Sequence, residues 1–477
     1  MSENKQPHVL LLISDQHRAS TLSCAGDALV QTPALDSLAE QGVRLENLYC
    51  NNPICVPSRM SFMTSRYSHH CEVWDNSDSL HSHIPTFAHA FGLAGYRTVL
   101  CGRMHFVGGD QLHGFQERAF GDVCGGYLGT NRAEYRSRGF FGVRESIENA
   151  GPGPANDLAY DQGVTANACR IIRDHEETGD PRPLLLVVSW YSPHDPYRAY
   201  RKDFERHTAD NDSPKIDPRG EKLHPLLTTL RARQDLDSLE DAQLSVARAS
   251  YRAKVEFLDE QIGRVLEHWR FSSFSENQAV CYLSDHGEML GDHGLWAKNC
   301  FYDPASKVPG IMVFPDEFSS GKTEARPASL VDITATLVDI AGAPPLPASD
   351  GQSLRDGLRG EETWPSEVLV EMIPSDGNVS RMIRRGKWKL NWYPQRDHEW
   401  ELFDLENDPD ELEDLSRQPE ASQRIQELAP LLRKDEWSPQ ACQRIRQKQT
   451  EGKRYLSQWA LATIPQDPTM FGIAAPL

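Results

Sequence analysis

Cys55 sits in the run Asn51-Asn52-Pro53-Ile54-Cys55-Val56-Pro57-Ser58-Arg59-Met60, among residue types that hold an anion or activate a sulfur. Pro57 suits the first turn of a helix, whose unpaired amides face the preceding loop and favour negative charge. Arg59 lies four residues on, so one helical turn brings its guanidinium back toward Cys55. A single cysteine is ordinarily a small buried hydrophobe. With proline, serine and arginine around it, this one reads as a reactive group.

Four further places carry chemistry, each following a short apolar run. They are Ser14-Asp15-Gln16-His17, Gly102-Arg103-Met104-His105, Ser192-Pro193-His194-Asp195-Pro196 and Asp285-His286-Gly287. Ligands in open α/β sheets bind at the carboxyl ends of strands. Any one of these runs alone reads equally well as a capped turn, and together they read as a site. Asp15 and Asp285 fall at the ends of two central strands, and a lone buried carboxylate is costly, so the pair asks for a cation between them. His286 and the amide oxygen of Gln16 complete the donor set. An all-oxygen shell suits calcium or magnesium, while the histidine nitrogen tilts the choice toward manganese or zinc.

The elements that must position these groups follow from the pattern. Residues 9–14, 98–101, 184–190, 279–284 and 311–314 are uninterrupted apolar runs, as expected of strands in a mainly parallel sheet covered on both faces. Helical spacing marks 33–41, 84–94 and, most clearly, 242–269, where Tyr251, Val255, Leu258, Ile262 and Val265 form a core stripe. Alternation of the two predicts a large α/β layer domain over residues 1–350. The Pro/Gly-rich stretch Pro344-Pro345-Leu346-Pro347-Ala348-Ser349-Asp350-Gly351 reads as a linker. Short strands at 368–372, 387–393 and 401–405 and helices at 421–433 and 439–457 predict a smaller antiparallel α+β domain over 351–455. The apolar tail 456–477 reads either as a disordered tail or, given Trp459, Met470 and Phe471, as an arm that docks on a partner such as a second copy of the chain.

The chain has 477 residues, enough for one large and one smaller domain. With 50 Lys and Arg against 69 Asp and Glu, the net charge of −19 argues against nucleic-acid and anionic-membrane partners. The N-terminus has no basic n-region, and its apolar run is too short to span a bilayer, so the expectation as written is a cytoplasmic protein, or a periplasmic or secreted one if a leader has been removed. The 10 cysteines include no CxxC pair, as expected of reduced, mostly buried thiols.

Cys55-Val56-Pro57-Ser58-Arg59 resembles the Cys-x-Pro-Ser-Arg signature of the sulfatase family within the alkaline phosphatase superfamily. Other marks follow in order: Asp15 after the first strand, Gly102 to His105, Pro193-His194, Asp285-His286-Gly287, Lys298, and the stretches 330–336 and 384–390, the latter read as one strand. The branch resembled is that of choline sulfatases and phosphonate monoester hydrolases, carried by Ile84-Pro85-Thr86-Phe87-Ala88-His89, Met104-His105-Phe106, Asp110-Gln111-Leu112-His113-Gly114-Phe115 and the run from Asp285 to His293, with Gln16 after Asp15. The resemblance implies an alkaline phosphatase-like fold: a large, mixed but mainly parallel sheet between helices, with a smaller antiparallel subdomain.

It also implies a mechanism. Cys55 is oxidised by a formylglycine-generating enzyme to formylglycine, whose hydrate is a geminal diol. One hydroxyl attacks sulfur and the other then expels sulfate, which splits a hard step into two easier ones. One divalent metal, calcium first and manganese as the alternative, is held by Asp15, Gln16, Asp285, His286 and residue 55. Arg59 holds the diol, and Arg103 and Lys298 bind sulfate oxygens, each contributing roughly 2–4 kcal/mol in the transition state. His105 takes the proton of the second hydroxyl; His194, with Lys298, binds substrate and protonates the leaving alcohol. Two departures stand out: many family members carry Lys where Arg103 stands, and the usual Leu-Thr-Gly appears as Met63-Thr64-Ser65.

The expected reaction is hydrolysis of a small organic sulfate or sulfated sugar. Choline would need an aromatic cage, for which Trp74, Tyr127, Trp190, Tyr191 and Trp296 are candidates. The rival enzyme is a phosphonate monoester or phosphodiester hydrolase with the same nucleophile. A non-catalytic binding protein would carry an unconverted thiol at Cys55, and a phosphomutase-like relative would carry Ser or Thr there.

Overall fold

A computed structural model describes residues 6–123, 142–207, 213–216, 223–315, 317–373, 377–433 and 438–463. Eight strands form the main sheet: β1 (His8–Asp15), β2 (Val43–Leu45), β3 (Arg97–Gly102), β4 (Glu117–Phe120), β5 (Leu184–Pro193), β6 (Gln278–Ser284), β7 (Gly310–Val313) and β8 (Lys322–Glu324). Their order is β8-β2-β7-β6-β1-β5-β3-β4. β1 lies between β5 and β6, parallel to both, and β3 is parallel to β5. Within this sheet only β7 runs against both its neighbours among the described strands. The parallel centre brings four strand ends to one edge, and those ends carry Asp15, Arg103, His194 and Asp285.

Side chains alternate across β1, and each face receives its own helices. Val9, Leu11 and Ile13 pack with Met60, Phe87 and Ile333, which belong to α2 (Cys55–Thr64), α3 (Phe87–Leu93) and α6 (Leu330–Ile340). Leu10 and Leu12 pack with Leu35, Val164 and Leu258, from α1 (Pro33–Gln41), α4 (Asn156–Thr178) and α5 (Asp241–Arg270). Each fully buried aliphatic side chain contributes about 1.5–3 kcal/mol. α3 starts at Phe87 rather than 84 because Pro85 disfavours helical backbone at Ile84, and Thr86 caps the first turn.

A second sheet, β9 (Val368–Met372), β10 (Ser380–Arg385), β11 (Trp388–Trp392) and β12 (Trp400–Asp404), is antiparallel in that order. α7 (Ala421–Leu432) packs on it, and α8 (Pro439–Thr463) follows. The stretch 384–390 is therefore a hairpin and not one strand: it turns at Gly386, whose φ of 59° is the left-handed conformation a tight hairpin needs. Glu371 N donates to Asn51 O at 2.8 Å, and Asn51 Nδ2 donates to Leu369 O at 3.0 Å, so this sheet is stitched to the chain that leads into Cys55. Residues 464–477, with Met470 and Phe471, and the side chain of Trp459 lie outside the described residues, as does any test of the tail as an oligomer arm. Among the described residues no helix is long and apolar enough to cross a membrane.

Candidate active site

α2 begins at Cys55, and every residue of this helix is buried. The Ile54 cap position offers no side-chain bond; instead Asn76 Oδ1 accepts from Val56 N at 2.9 Å, satisfying one of the free amides. Cys55 Sγ lies 3.1 Å from His286 Nε2, 3.3 Å from Lys298 Nζ and 3.8 Å from Asp15 Oδ1. Burial opposes ionisation of this thiol, but Lys298, His286 and hydrogen-bond contacts with His105 and His194 outweigh it and hold its pKa well below the usual cysteine value. Every other described cysteine is shifted upward by burial. Cys55 is chemically set apart.

Asp15 and Asp285 are brought to the same point by the parallel pairing of β1 with β6. Arg59 bridges them, its Nε donating to Asp285 Oδ2 at 2.8 Å and Nη2 to Asp15 Oδ2 at 3.1 Å. Its Nη1 donates to Arg103 O at 2.9 Å and Ser189 Oγ at 3.0 Å. The guanidinium thus ties the carboxylates to the sheet rather than reaching past them to residue 55. Asp15 stays depressed below the usual carboxylate range: burial and Cys55 push it up, but Arg103, His194 and Arg59 prevail.

The remaining oxygens point inward. Asp15 Oδ1 and Asp285 Oδ1 each lie 3.7 Å from His286 Nε2. His286 Nδ1 lies 3.0 Å from Gly287 O, which can only accept, so the neutral ring's proton sits on Nδ1 and its Nε2 lone pair faces the carboxylates. Acceptors facing acceptors at these distances suit a shared cation, and the ligand atoms of Asp15, Cys55, Asp285 and His286 all fall within 4.8 Å of one another. Of the five donors expected from the sequence, these four lie together, while the Gln16 amide oxygen is turned to Lys298. Gln16 adjoins it: its backbone N donates to Asp285 Oδ1 at 3.0 Å and its amide oxygen accepts from Lys298. Glycine makes the turn after Asp285 possible, because a Cβ on Gly287 would meet Pro304 O at 2.1 Å.

Lys298 Nζ also reaches His194 Nε2 at 2.9 Å. A lysine ammonium only donates, so His194 accepts at Nε2 and turns Nδ1 to Asp195, 2.7 Å from its carbonyl oxygen and 3.0 Å from Oδ1. Burial and Lys298 depress His194, yet Asp195, Asp15 and Cys55 leave it above the usual histidine value. Lys254, fully buried on α5, holds this loop from below, donating to Asp157 Oδ2 and His194 O at 2.5 Å and to Pro196 O at 3.0 Å.

Arg103 faces protein groups. Its Nε donates to Asp15 Oδ2 at 2.6 Å, Nη1 to Asp122 Oδ1 at 3.0 Å and Nη2 to His105 Nδ1 at 2.8 Å. Tyr191 stacks beneath it, the ring centroid 4.9 Å away. Because Arg103 can only donate, a neutral His105 carries its proton on Nε2 and offers it to Cys55. A base acting on residue 55 needs that nitrogen bare, so the geometry makes His105 a donor. Burial and Arg103 also keep its pKa below the usual histidine value. Asp122 anchors both residues, its Oδ1 accepting from Arg103 Nη1 and its Oδ2 from His105 N at 2.8 Å.

The aromatic cage does not assemble from the described candidates. Trp74 is buried with the second sheet, Trp190 bonds Thr165 Oγ1 at 3.0 Å inside the α4–α5 face, and Trp296 packs on Tyr197. Tyr191 lies under Arg103, and Tyr127 lies outside the described residues. Asn76, Asp122 and Glu288 join the site without being singled out by sequence reasoning; of these only Glu288 carried a signal, standing three residues past Asp285.

Comparison with known proteins agrees with this geometry. A family model described as Sulfatase matches residues 7–343, and one described as N-sulphoglucosamine sulphohydrolase, C-terminal, matches residues 291–437. The chain is 33% identical over 434 residues to a choline-sulfatase of Rhizobium meliloti, covering 87% of this chain and 83% of that one. It is 26% identical over 489 residues to an N-acetylglucosamine-6-O-sulfatase of Bacteroides thetaiotaomicron, covering 90% and 86%. The crystal structure of a phosphonate monoester hydrolase of Agrobacterium radiobacter superposes with a TM-score of 0.73 at 25% identity, covering 90% of this chain and 95% of that one.

Proposed function

Because the chain belongs to the sulfatase family, we propose that it hydrolyses a sulfate ester to an alcohol and inorganic sulfate, using residue 55 as nucleophile after conversion of Cys55 to formylglycine. The observation that carries this reading is the convergence of Lys298, His286, His105 and His194 on Cys55, which no other described cysteine has. Formylglycine, made by a generating enzyme acting on the chain, would supply at residue 55 a hydrated aldehyde, a nucleophile able to free its product by re-forming the aldehyde. Asp15, Gln16, Asp285, His286 and residue 55 would hold a divalent cation, calcium first and manganese as the alternative, which would supply positive charge to acidify the nucleophile and offset charge on the ester.

The chain's own residues do the rest. Arg59 keeps Asp15 and Asp285 in place, and Arg103 holds Asp15 and His105. His105 donates from Nε2 toward residue 55. The sulfate-binding role that the sequence assigns jointly to Arg103 and Lys298 falls to Lys298 and His194, which face residue 55 together. The Lys298–His194 pair shares a proton across 2.9 Å and delivers it to the departing alkoxide.

The substrate class is a small organic sulfate or a sulfated sugar, supported by the names of the two relatives above. A phosphonate monoester or phosphodiester hydrolase is the second reading, favoured by the structural similarity to such an enzyme. The test is kcat/KM on choline sulfate, an aryl sulfate, a sulfated glucosamine and a phenyl phosphonate, with protein made alongside a formylglycine-generating enzyme. Preference for a sulfate ester supports the proposal. Preference for the phosphonate replaces it with the second reading.

A further inference from the structure

Glu288 is fully buried, yet the proposed chemistry does not use it. Its Oε1 accepts from Leu290 N at 3.0 Å and Ala297 N at 2.5 Å; its Oε2 accepts from the Gln16 amide nitrogen and from Tyr197 OH at 3.2 Å. The other end of the Gln16 amide accepts from Lys298. Gln16 is thus read from both ends by groups with one role each: a carboxylate only accepts, and an ammonium only donates. A primary amide between them has a single satisfied orientation, with NH2 toward Glu288 and oxygen toward Lys298.

We infer that Glu288 is a positioning residue that fixes the amide flip of Gln16, and through it the carbonyl oxygen offered to the cation site and the placement of Lys298. Lys298 has three N–H bonds, and its acceptors are Gln16 Oε1, Cys55 Sγ and His194 Nε2. Reversal of the amide would set NH2 against the ammonium and remove one of those acceptors. Gln16 is also held in left-handed backbone, φ 66°, by Asp285 Oδ1 accepting from its N and by Tyr251 OH donating to its O at 2.7 Å. With the backbone pinned, the amide flip is set by Lys298 on the oxygen and by Glu288 on the nitrogen, the latter much the nearer of two acceptors, Asp195 Oδ1 lying 3.5 Å away. The inference rests on the proposal that Gln16 adjoins a bound dication.

The test exchanges the two partners in the full-length protein. In Glu288→Gln the new side chain must keep its oxygen on the amides of Leu290 and Ala297, so its NH2 faces Gln16 and one donor meets another in either flip. Gln16→Glu alone sets two carboxylates face to face. The double variant Glu288→Gln with Gln16→Glu restores one donor, one acceptor-only group and the original charge. Two readouts apply: the thermal midpoint of chelator-stripped protein for all four chains, and calcium affinity by titration calorimetry for the parent and Glu288→Gln.

The expected result is a lowered midpoint in both single variants, recovery in the double, and calcium binding at least about tenfold weaker in Glu288→Gln. A purely structural Glu288 would lower the midpoint and leave calcium affinity within about twofold of the parent; that result, or a double variant no more stable than Glu288→Gln, overturns the inference. If Glu288→Gln does not fold, folding of the double variant supports the inference and its failure overturns it. Neither readout uses ester turnover, so a parent that binds calcium but cleaves no sulfate ester would sink the proposed function and leave this inference standing.

Discussion

Lys298 Nζ and Cys55 Sγ lie 3.3 Å apart, with His194 Nε2 completing a triangle around the ammonium. Lys298→Met and His194→Asn should each lower kcat by about 10²–10⁴-fold. Since the pair holds one proton between them, the double variant should lose far less than the product of the two. The loss should be smallest for aryl sulfates with acidic phenol leaving groups, which depart without protonation, and largest for alkyl sulfates. A loss equal across leaving groups would contradict the assigned acid.

Metal removal gives a second expectation. Chelation should abolish turnover, and calcium or manganese should restore it. A cation that binds the folded chain alone should also raise the thermal midpoint, by about 2.7 kcal/mol of stability at 100 times its dissociation constant. In Asp285→Asn that rise should shrink. An unchanged midpoint shift in the variant would remove Asp285 from the donor set.

Gly102 ends β3 with φ 100°, and a Cβ there would meet Ser189 O at 2.2 Å. This close approach lets Arg103 N donate to Ser189 O at 2.9 Å. Gly102→Ala should therefore destabilise the fold by about 1–3 kcal/mol or more and displace Arg103 from Asp15, lowering kcat as well as the urea midpoint. Wild-type values for both would show that the backbone shifts without cost.

Stability should depend on pH through Glu401, far from the site on β12. Burial drives its pKa up to about 7, against hydrogen bonds from Asn391 and Tyr393. The folded state therefore binds this proton more tightly than the unfolded chain. The contribution is fully present below pH ~4.5 and is lost as pH rises through about 7, on the order of 3 kcal/mol at most. Glu401→Gln keeps an oxygen for both donors and does not ionise. It should match the parent near pH 4 and exceed it in urea midpoint at pH 8. A variant whose stability falls between those values as steeply as the parent's would refute the assignment.

The central layer and most of the donor set are legible in the sequence because both are local in origin. Apolar runs such as 9–14 and 279–284 mark strands buried on both faces, and their polar ends mark the site edge. What the sequence hides depends on partners distant along the chain. The Ser380–Arg385 strand carries three arginines and no apolar run, and it becomes a strand through its ladders to β9 and β11. Arg59 and Arg103 read as groups for the diol and the ester; only the fold reveals that Asp15, Asp285 and Asp122 claim their donors. The tautomer of His105 is set by Arg103 two residues earlier, a contact that needs the left-handed backbone at His105, φ 59°. Trp190 and Trp296 are candidates for a cage by residue type, yet packing takes them into the core.

The most direct measurement is turnover of an aryl sulfate by the parent and by Cys55→Ala, both co-produced with a formylglycine-generating enzyme and checked by mass spectrometry of the peptide containing residue 55. The account predicts an aldehyde in the parent peptide and turnover that vanishes in Cys55→Ala. A Cys55→Ala protein that cleaves the ester as fast as the parent would contradict it.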